Sequence, residues 1–131
     1  MKTINRRAFF DYNILEKFEA GINLTGQEVK SVKGGHMSLD GSFVKIVGSE
    51  AHLVNAQIRP YINARIENYD PNRTRKLLLH KKEIISLKSK IDQSNLTLVP
   101  LLCYTTTHGL IKLEMALAKG KKQYEKREAL K

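Results

Sequence analysis

The chain has a single cysteine, Cys103, in 131 residues, and no tryptophan. One thiol closes no internal disulfide, which fits a reducing, cytoplasmic setting. No apolar run approaches the ~20 residues that a membrane-spanning helix needs. The start, Met1-Lys2-Thr3-Ile4-Asn5-Arg6-Arg7, has no apolar stretch of the kind found in secretory signals. The histidines His36, His52, His80 and His108 are scattered, without ligand spacing among themselves or with Cys103, so no metal site is expected. Phosphate loop, dinucleotide fingerprint and nucleophile elbow are all missing. The expectation is therefore no enzyme and no cofactor, with Cys103 a small buried side chain in an apolar strand.

Acidic residues are also scarce. There are 13 Asp and Glu against 23 Lys and Arg, a net charge of +10. Such an excess costs self-repulsion in the folded state and points to a polyanionic partner. The charge is unevenly placed: residues 73–90 carry +6, residues 119–131 carry +4 and residues 1–7 carry +3, leaving −3 for the rest. A merely soluble surface would mix the signs.

The length suits one domain, with no repeat and no low-complexity linker. From Tyr12 to Leu24 the sequence alternates. Tyr12, Ile14, Phe18, Ala20, Ile22 and Leu24 fall on one face, and Glu16 interrupts that side. This reads as a strand long enough to bend or to serve two parts of a curled sheet. Thr25-Gly26-Gln27-Glu28 reads as a capping box opening a short helix that Gly34-Gly35 stops. Phe43–Val47 and Ala51–Ile58 read as a hairpin about Gly48-Ser49-Glu50. The stretch Arg59 to Leu79 stays unassigned. His80 to Gln93 reads as a helix with Ile84, Leu87 and Ile91 on one face. Leu96–Thr106 and Leu110–Lys119 read as a second hairpin, with Pro100 marking an exposed edge or a bulge. The order β-α-β-β-loop-α-β-β predicts a mainly β fold. The expected form is a small antiparallel OB-like barrel of about six strands over residues 1–118, with two or three peripheral helices. Residues 119–131 would begin a basic C-terminal tail.

Arg73, Arg75 and Lys76 put three cations within four residues, where a planar guanidinium can grip a phosphate or stack on a base. A solvated basic loop docked by Leu77–Leu79 is the alternative. In the tail, Lys119, Lys121 and Lys122 surround Gly120, and Tyr124 lies near Lys126 and Arg127. That mixture suits phosphate contact with stacking on unpaired bases, or else is an ordinary charged tail. Glu19, a carboxylate on the first strand's polar face, is either an exposed strand glutamate or an acceptor for base edges or a 2′-hydroxyl.

Several segments together resemble the SsrA-binding protein family: Phe18-Glu19-Ala20-Gly21-Ile22; Gly26-Gln27-Glu28-Val29-Lys30-Ser31; Tyr69-Asp70-Pro71-Asn72-Arg73-Thr74-Arg75-Lys76-Leu77-Leu78-Leu79-His80; and Gly120-Lys121-Lys122 through Lys126-Arg127-Glu128. Their order and spacing agree from about Asn5 onward. The resemblance implies an OB-like barrel that binds the tRNA-like domain of transfer-messenger RNA at its D-loop and elbow. The protein would thereby deliver that RNA to stalled ribosomes for trans-translation. Its other partners would be the small ribosomal subunit near the decoding region and, through the RNA, elongation factor Tu and alanyl-tRNA synthetase; no membrane is involved. Asn5, Glu19 and Leu78 match family residues implicated in RNA binding, and Arg73, Arg75 and Lys76 belong to the matching loop. Arg7, from the N-terminal cluster, is grouped with them. The stretch containing Lys119, Lys121, Lys122, Tyr124, Lys126 and Arg127 matches the part approaching the decoding region.

Two departures stand out. Gly35-His36-Met37-Ser38 differs from the lysine-containing pattern and is given no role. The chain also ends at Lys131, where the family pattern continues as a basic, aromatic-bearing tail. The resulting expectation is a shortened form that binds transfer-messenger RNA but supports tagging poorly. The alternative to this whole reading is a structural ribosomal or general RNA-binding protein built on the same barrel.

Overall fold

The structure is a computed structural model that describes residues 2–61 and 68–129. Seven strands form one antiparallel sheet, in the order Lys2–Ile4 (β1), Thr97–Thr105 (β8), Ile111–Gly120 (β9), Tyr12–Ile22 (β2), Arg75–Leu78 (β7), Glu50–Val54 (β5) and Phe43–Val47 (β4). Two short strands, Met37–Ser38 (β3) and Gln57–Ile58 (β6), pair separately. The mainly antiparallel architecture is the expected one. The sheet curls until β4 comes within 8 Å of β8, yet among the described residues no ladder joins its ends, so the barrel they form is not closed by hydrogen bonds. Helices Arg6–Asp11 (α1), Gly26–Lys33 (α2), Lys81–Ser94 (α3) and Gln123–Ala129 (α4) flank it.

The long strand β2 departs from simple alternation. Ile14 pairs with Ala118 and Glu16 with Leu117, so Leu15 is an extra residue bulged out of the ladder. One inserted residue inverts the side-chain alternation. Tyr12 and Ile14 therefore pack with Ala8, Val99, Leu101, Ala116 and Ala118. Phe18, Ala20 and Ile22 face the opposite way, into the main core with Leu53, Leu77, Leu113, Met115 and Leu117. The single face expected for Tyr12 through Ile22 is thus two faces serving two clusters. A second register shift, between Pro100 and Leu102, sends Leu101 to the small cluster and Cys103 to the large one. The proline removes a ladder donor there, as anticipated.

The local signals explain the other elements. Thr25 caps α2 in a reciprocal box with Glu28, and Gly35 takes the positive φ of 83° that follows the helix end. Gly48 turns the β4–β5 hairpin with φ 61°. The strand expected over Ala51–Ile58 is broken by Asn55 at φ 64°, a left-handed geometry that asparagine tolerates, so β5 and β6 join different sheets. Helix α3 turns Ile84 and Leu87 inward, with Ile91 packed against the same core. Within the unassigned stretch Arg59–Leu79, β7 inserts between β2 and β5, while residues 62–67 lie outside the described ones.

Cys103 has no exposed surface, and burial pushes its thiol up to about 12. At pH 8 the folded protein is expected to react with an aromatic disulfide reagent at least about a hundredfold more slowly than the urea-unfolded chain. Labelling at equal rates would show that β8 opens readily.

Candidate nucleic-acid interface

The insertion of β7 beside β2 assembles the site. Register places Gly21 opposite Leu78 in one direction and opposite Lys112 in the other, and Lys112 in turn opposite Tyr104. One row across four strands therefore reads Tyr104, Lys112, Gly21, Leu78, all on the outer face. A Cβ on Gly21 would lie 3.3 Å from both Cβ and Cδ1 of Leu78. The bare glycine lets Leu78 lie across β2 with 55% of its surface in solvent. Glu19 stands two residues from Gly21 on the same face.

Leu78 forms a ridge between two hollows. The larger, about 570 Å³, is lined by Glu19, Lys76, Leu78, Lys81, Glu83 and Lys112, among others. The smaller, about 260 Å³, shares Gly21, Leu78 and Lys112 and adds Leu24 and Leu110. Lys76 holds Glu50 at 3.1 Å, and this keeps the Glu50 carboxyl below its ordinary range. The N-terminus of α3 enters the groove, where the His80 amide donates to Glu83 at 3.2 Å. Cations, an exposed apolar ridge and a carboxylate thus share one surface.

Behind this surface lies a buried charge network. Glu28 is fully buried and accepts from three residues. Its Oε1 takes the Thr25 amide at 3.0 Å and Arg73 Nη2 at 2.5 Å. Its Oε2 takes Arg75 Nε at 2.8 Å and lies 2.6 Å from Arg75 Nη2. Arg75 also donates to the carbonyls of Ala56 at 2.9 Å and Pro71 at 3.1 Å. The Tyr69 hydroxyl donates to the Ile58 carbonyl at 2.8 Å, and burial beside Glu28 raises its pKa. Burial by itself would push the Glu28 carboxyl up. The hydrogen bonds from Arg73, the Thr25 amide and Arg75 outweigh it and bring Glu28 down to about 2.

The predicted residues thus separate into groups. Glu19, Lys76 and Leu78 meet in the groove. Arg75 has no exposed surface, and Arg73 is partly exposed on the far side of the same network. Asn5 is buried at the start of α1, where its side chain accepts from the Ala8 amide and donates to the Pro100 carbonyl at 2.8 Å. Arg7 is exposed and pairs with Asp11 at 3.3 Å. Of the tail residues, Lys119 ends in β9, and the Lys121 amide donates to the Asp11 carbonyl at 2.8 Å. Lys126 sits 3.4 Å from Asp11, and Asn13 donates to Glu125 at 2.8 Å. These contacts dock α4 against α1 and β2. Tyr124 is exposed, and residues 130–131 lie outside the described ones.

Sequence reasoning missed Lys81, Lys112 and Tyr104, and took Glu28 for a capping residue only. Alternation along β9 turns Lys112 outward, but its alignment with Gly21 needs the register. Among the described residues, no group of three or more His, Cys, Asp or Glu is placed to hold a metal ion. No helix among them is long and apolar enough to cross a membrane.

A curled antiparallel sheet with a cation-rimmed, part-apolar groove on its outer face and a lysine-rich segment leading into the C-terminal helix defines a small β-barrel protein of the nucleic-acid-binding class. The chain belongs to the SmpB protein family, whose model matches residues 2–131. It is 52% identical over 128 residues to the SsrA-binding protein of Chlorobium chlorochromatii, covering 98% of this chain and 82% of that one. It is 56% identical over 127 residues to that of Sulfurihydrogenibium sp., covering 97% and 83%. A solved chain described as "tmRNA-SmpB: a journey to the center of the bacterial ribosome" superposes with a TM-score of 0.75 at 45% identity, covering 98% of this chain and 93% of that chain.

Replacing Glu28 with Gln leaves Arg75 buried without its counter-charge, an expected loss of about 3–5 kcal/mol in urea unfolding at pH 7. The folded carboxyl lies at about 2 against an ordinary 4.5. Its stabilisation is therefore complete above 4.5 and drains away as the pH falls through about 2. The gap between parent and Glu28→Gln should narrow over that window. Equal stability at pH 7 would contradict the network's role.

Proposed function

We propose that this chain binds transfer-messenger RNA through the outer face of its barrel and helps deliver that RNA to stalled ribosomes for trans-translation. It acts as a binding protein rather than a catalyst, at the ribosome and hence in the cytoplasm. The observation that carries the reading is the meeting of Glu19, Lys76, Leu78 and Lys112 around one groove. The relatives' name, SsrA-binding protein, and the description of the solved chain, with tmRNA and the bacterial ribosome, support it.

In this reading Lys76, Lys81 and Lys112 neutralise phosphates along the groove. Leu78 offers an apolar surface to an unstacked base, and Glu19 accepts from a base edge or a 2′-hydroxyl. Arg73 adds a partly exposed guanidinium. Arg75 and Asn5 act from within, holding β7 and α1 in place. Arg7 and the tail residues Lys119, Lys121, Lys122, Tyr124, Lys126 and Arg127 make the second basic region, which turns toward the small subunit near its decoding region. Elongation factor Tu and alanyl-tRNA synthetase are met through the RNA.

In gel shifts across a salt series, Lys76→Ala and Lys112→Ala should each weaken binding to transfer-messenger RNA. Each should also lower the slope of log K against log salt by about 0.7–0.9. Glu19→Ala should keep that slope but bring the affinity closer to that for ordinary tRNA. An unchanged slope in both lysine variants would remove the groove from the interface.

A further inference from the structure

A glutamate on an exposed strand normally samples many rotamers, and Glu19 has a specific reason to wander. Register puts it directly opposite Glu114 on β9, and like charges facing each other across an antiparallel pair repel. Two contacts resolve this. Lys17 Nζ lies 3.5 Å from Glu114 Oε1, drawing that carboxylate along the strand. Tyr104, on β8, reaches over the intervening β9 and donates its hydroxyl to Glu19 Oε2. Tyr104 is itself anchored in the ladder, between Lys2 on β1 and Lys112 on β9. The base of its side chain therefore sits on a three-strand platform rather than a loop.

We propose that Tyr104 is a specificity-determining positioning residue. It fixes the Glu19 carboxylate in one orientation beside Lys112 and Leu78, so that the oxygen not held by the phenol accepts a hydrogen bond from the RNA. This rests on the groove reading given above. A tyrosine spends only two side-chain torsions on the task, and its ring is already seated. The ordering cost of a long acidic side chain is thus met before RNA arrives rather than during binding. Because Tyr104 carries no charge, it contributes to discrimination and nothing to counterion release.

The test is a double-mutant cycle in the full chain with Tyr104→Phe and Glu19→Gln, read by gel shift against transfer-messenger RNA and ordinary tRNA at several salt concentrations. Tyr104→Phe should lower affinity for transfer-messenger RNA by about three- to tenfold. It should leave the affinity for tRNA, the salt slope and the thermal midpoint as they were. In the Glu19→Gln background the same change should have less than half its effect. A Tyr104→Phe protein that loses affinity for both RNAs alike overturns the proposal. So does one that loses as much with Glu19→Gln as without it, since the phenol would then touch RNA on its own account. If Glu19→Gln discriminates poorly while Tyr104→Phe is silent, the groove reading stands and the positioning role falls. If Glu19→Gln is itself silent, both fall together.

Discussion

A buried carboxylate with two arginines on it is the node from which the functional face is hung. Glu28 belongs to α2, Arg73 to the segment before β7, and Arg75 to β7 itself. Arg75 also reaches the carbonyls of Ala56 and Pro71. One side chain thus fixes a helix, a loop and the strand that carries Lys76 and Leu78. Alternation then does the rest: with Arg75 and Leu77 inward, Lys76 and Leu78 must point outward. Surface pairs such as Lys90 with Glu16 or Lys17 with Glu114 contribute about 0–1 kcal/mol each. They place charges but do not hold the fold, whereas removing one partner from the buried node leaves a charge without water or counter-ion.

The two bulges have a related consequence. A sheet with strict alternation would put all its apolar side chains on one face and cover a single core. Shifting register at Leu15 and again around Leu101 lets the β8–β9–β2 sheet serve two clusters on opposite faces. The lower halves of these strands are covered by α1. The upper halves keep their outer face open, and Glu19, Lys112 and Tyr104 occupy it. The same register shifts therefore separate the covered part of its outside from the open part.

The basic charge falls into two regions with different physics. In the groove, cations alternate with acidic residues, and an apolar ridge runs between them, an arrangement suited to reading a folded RNA shape rather than charge density. Around α1 and α4 the cations lie on the two helices and on the chain leading into α4, and Lys126 of α4 is tied to α1 through Asp11, which also pairs with Arg7 of its own helix. The segment from Lys121 to Lys126 is in this way part of the body, with Tyr124 presented outward.

The long elements were legible in the sequence because their signals are local. The alternation of β9, the periodic face of α3, the Thr25–Glu28 box and the Pro100 irregularity each lie within a dozen residues and need no partner to be read. Short strands such as β1, β3, β6 and β7 carry too few residues to show a period. They exist only because another strand offers hydrogen bonds. The sequence by itself settled the charge excess and its clustering, the β-rich class and, through the resemblance of its motifs, the family. Which cations line the outer groove was a tertiary decision. Arg75 looks like the strongest phosphate ligand in its run, yet it is spent on Glu28, 47 positions away. Lys112 looks ordinary, yet register sets it beside Gly21. Long-range pairing and burial fix those fates, and neither is written within reach of the residue itself.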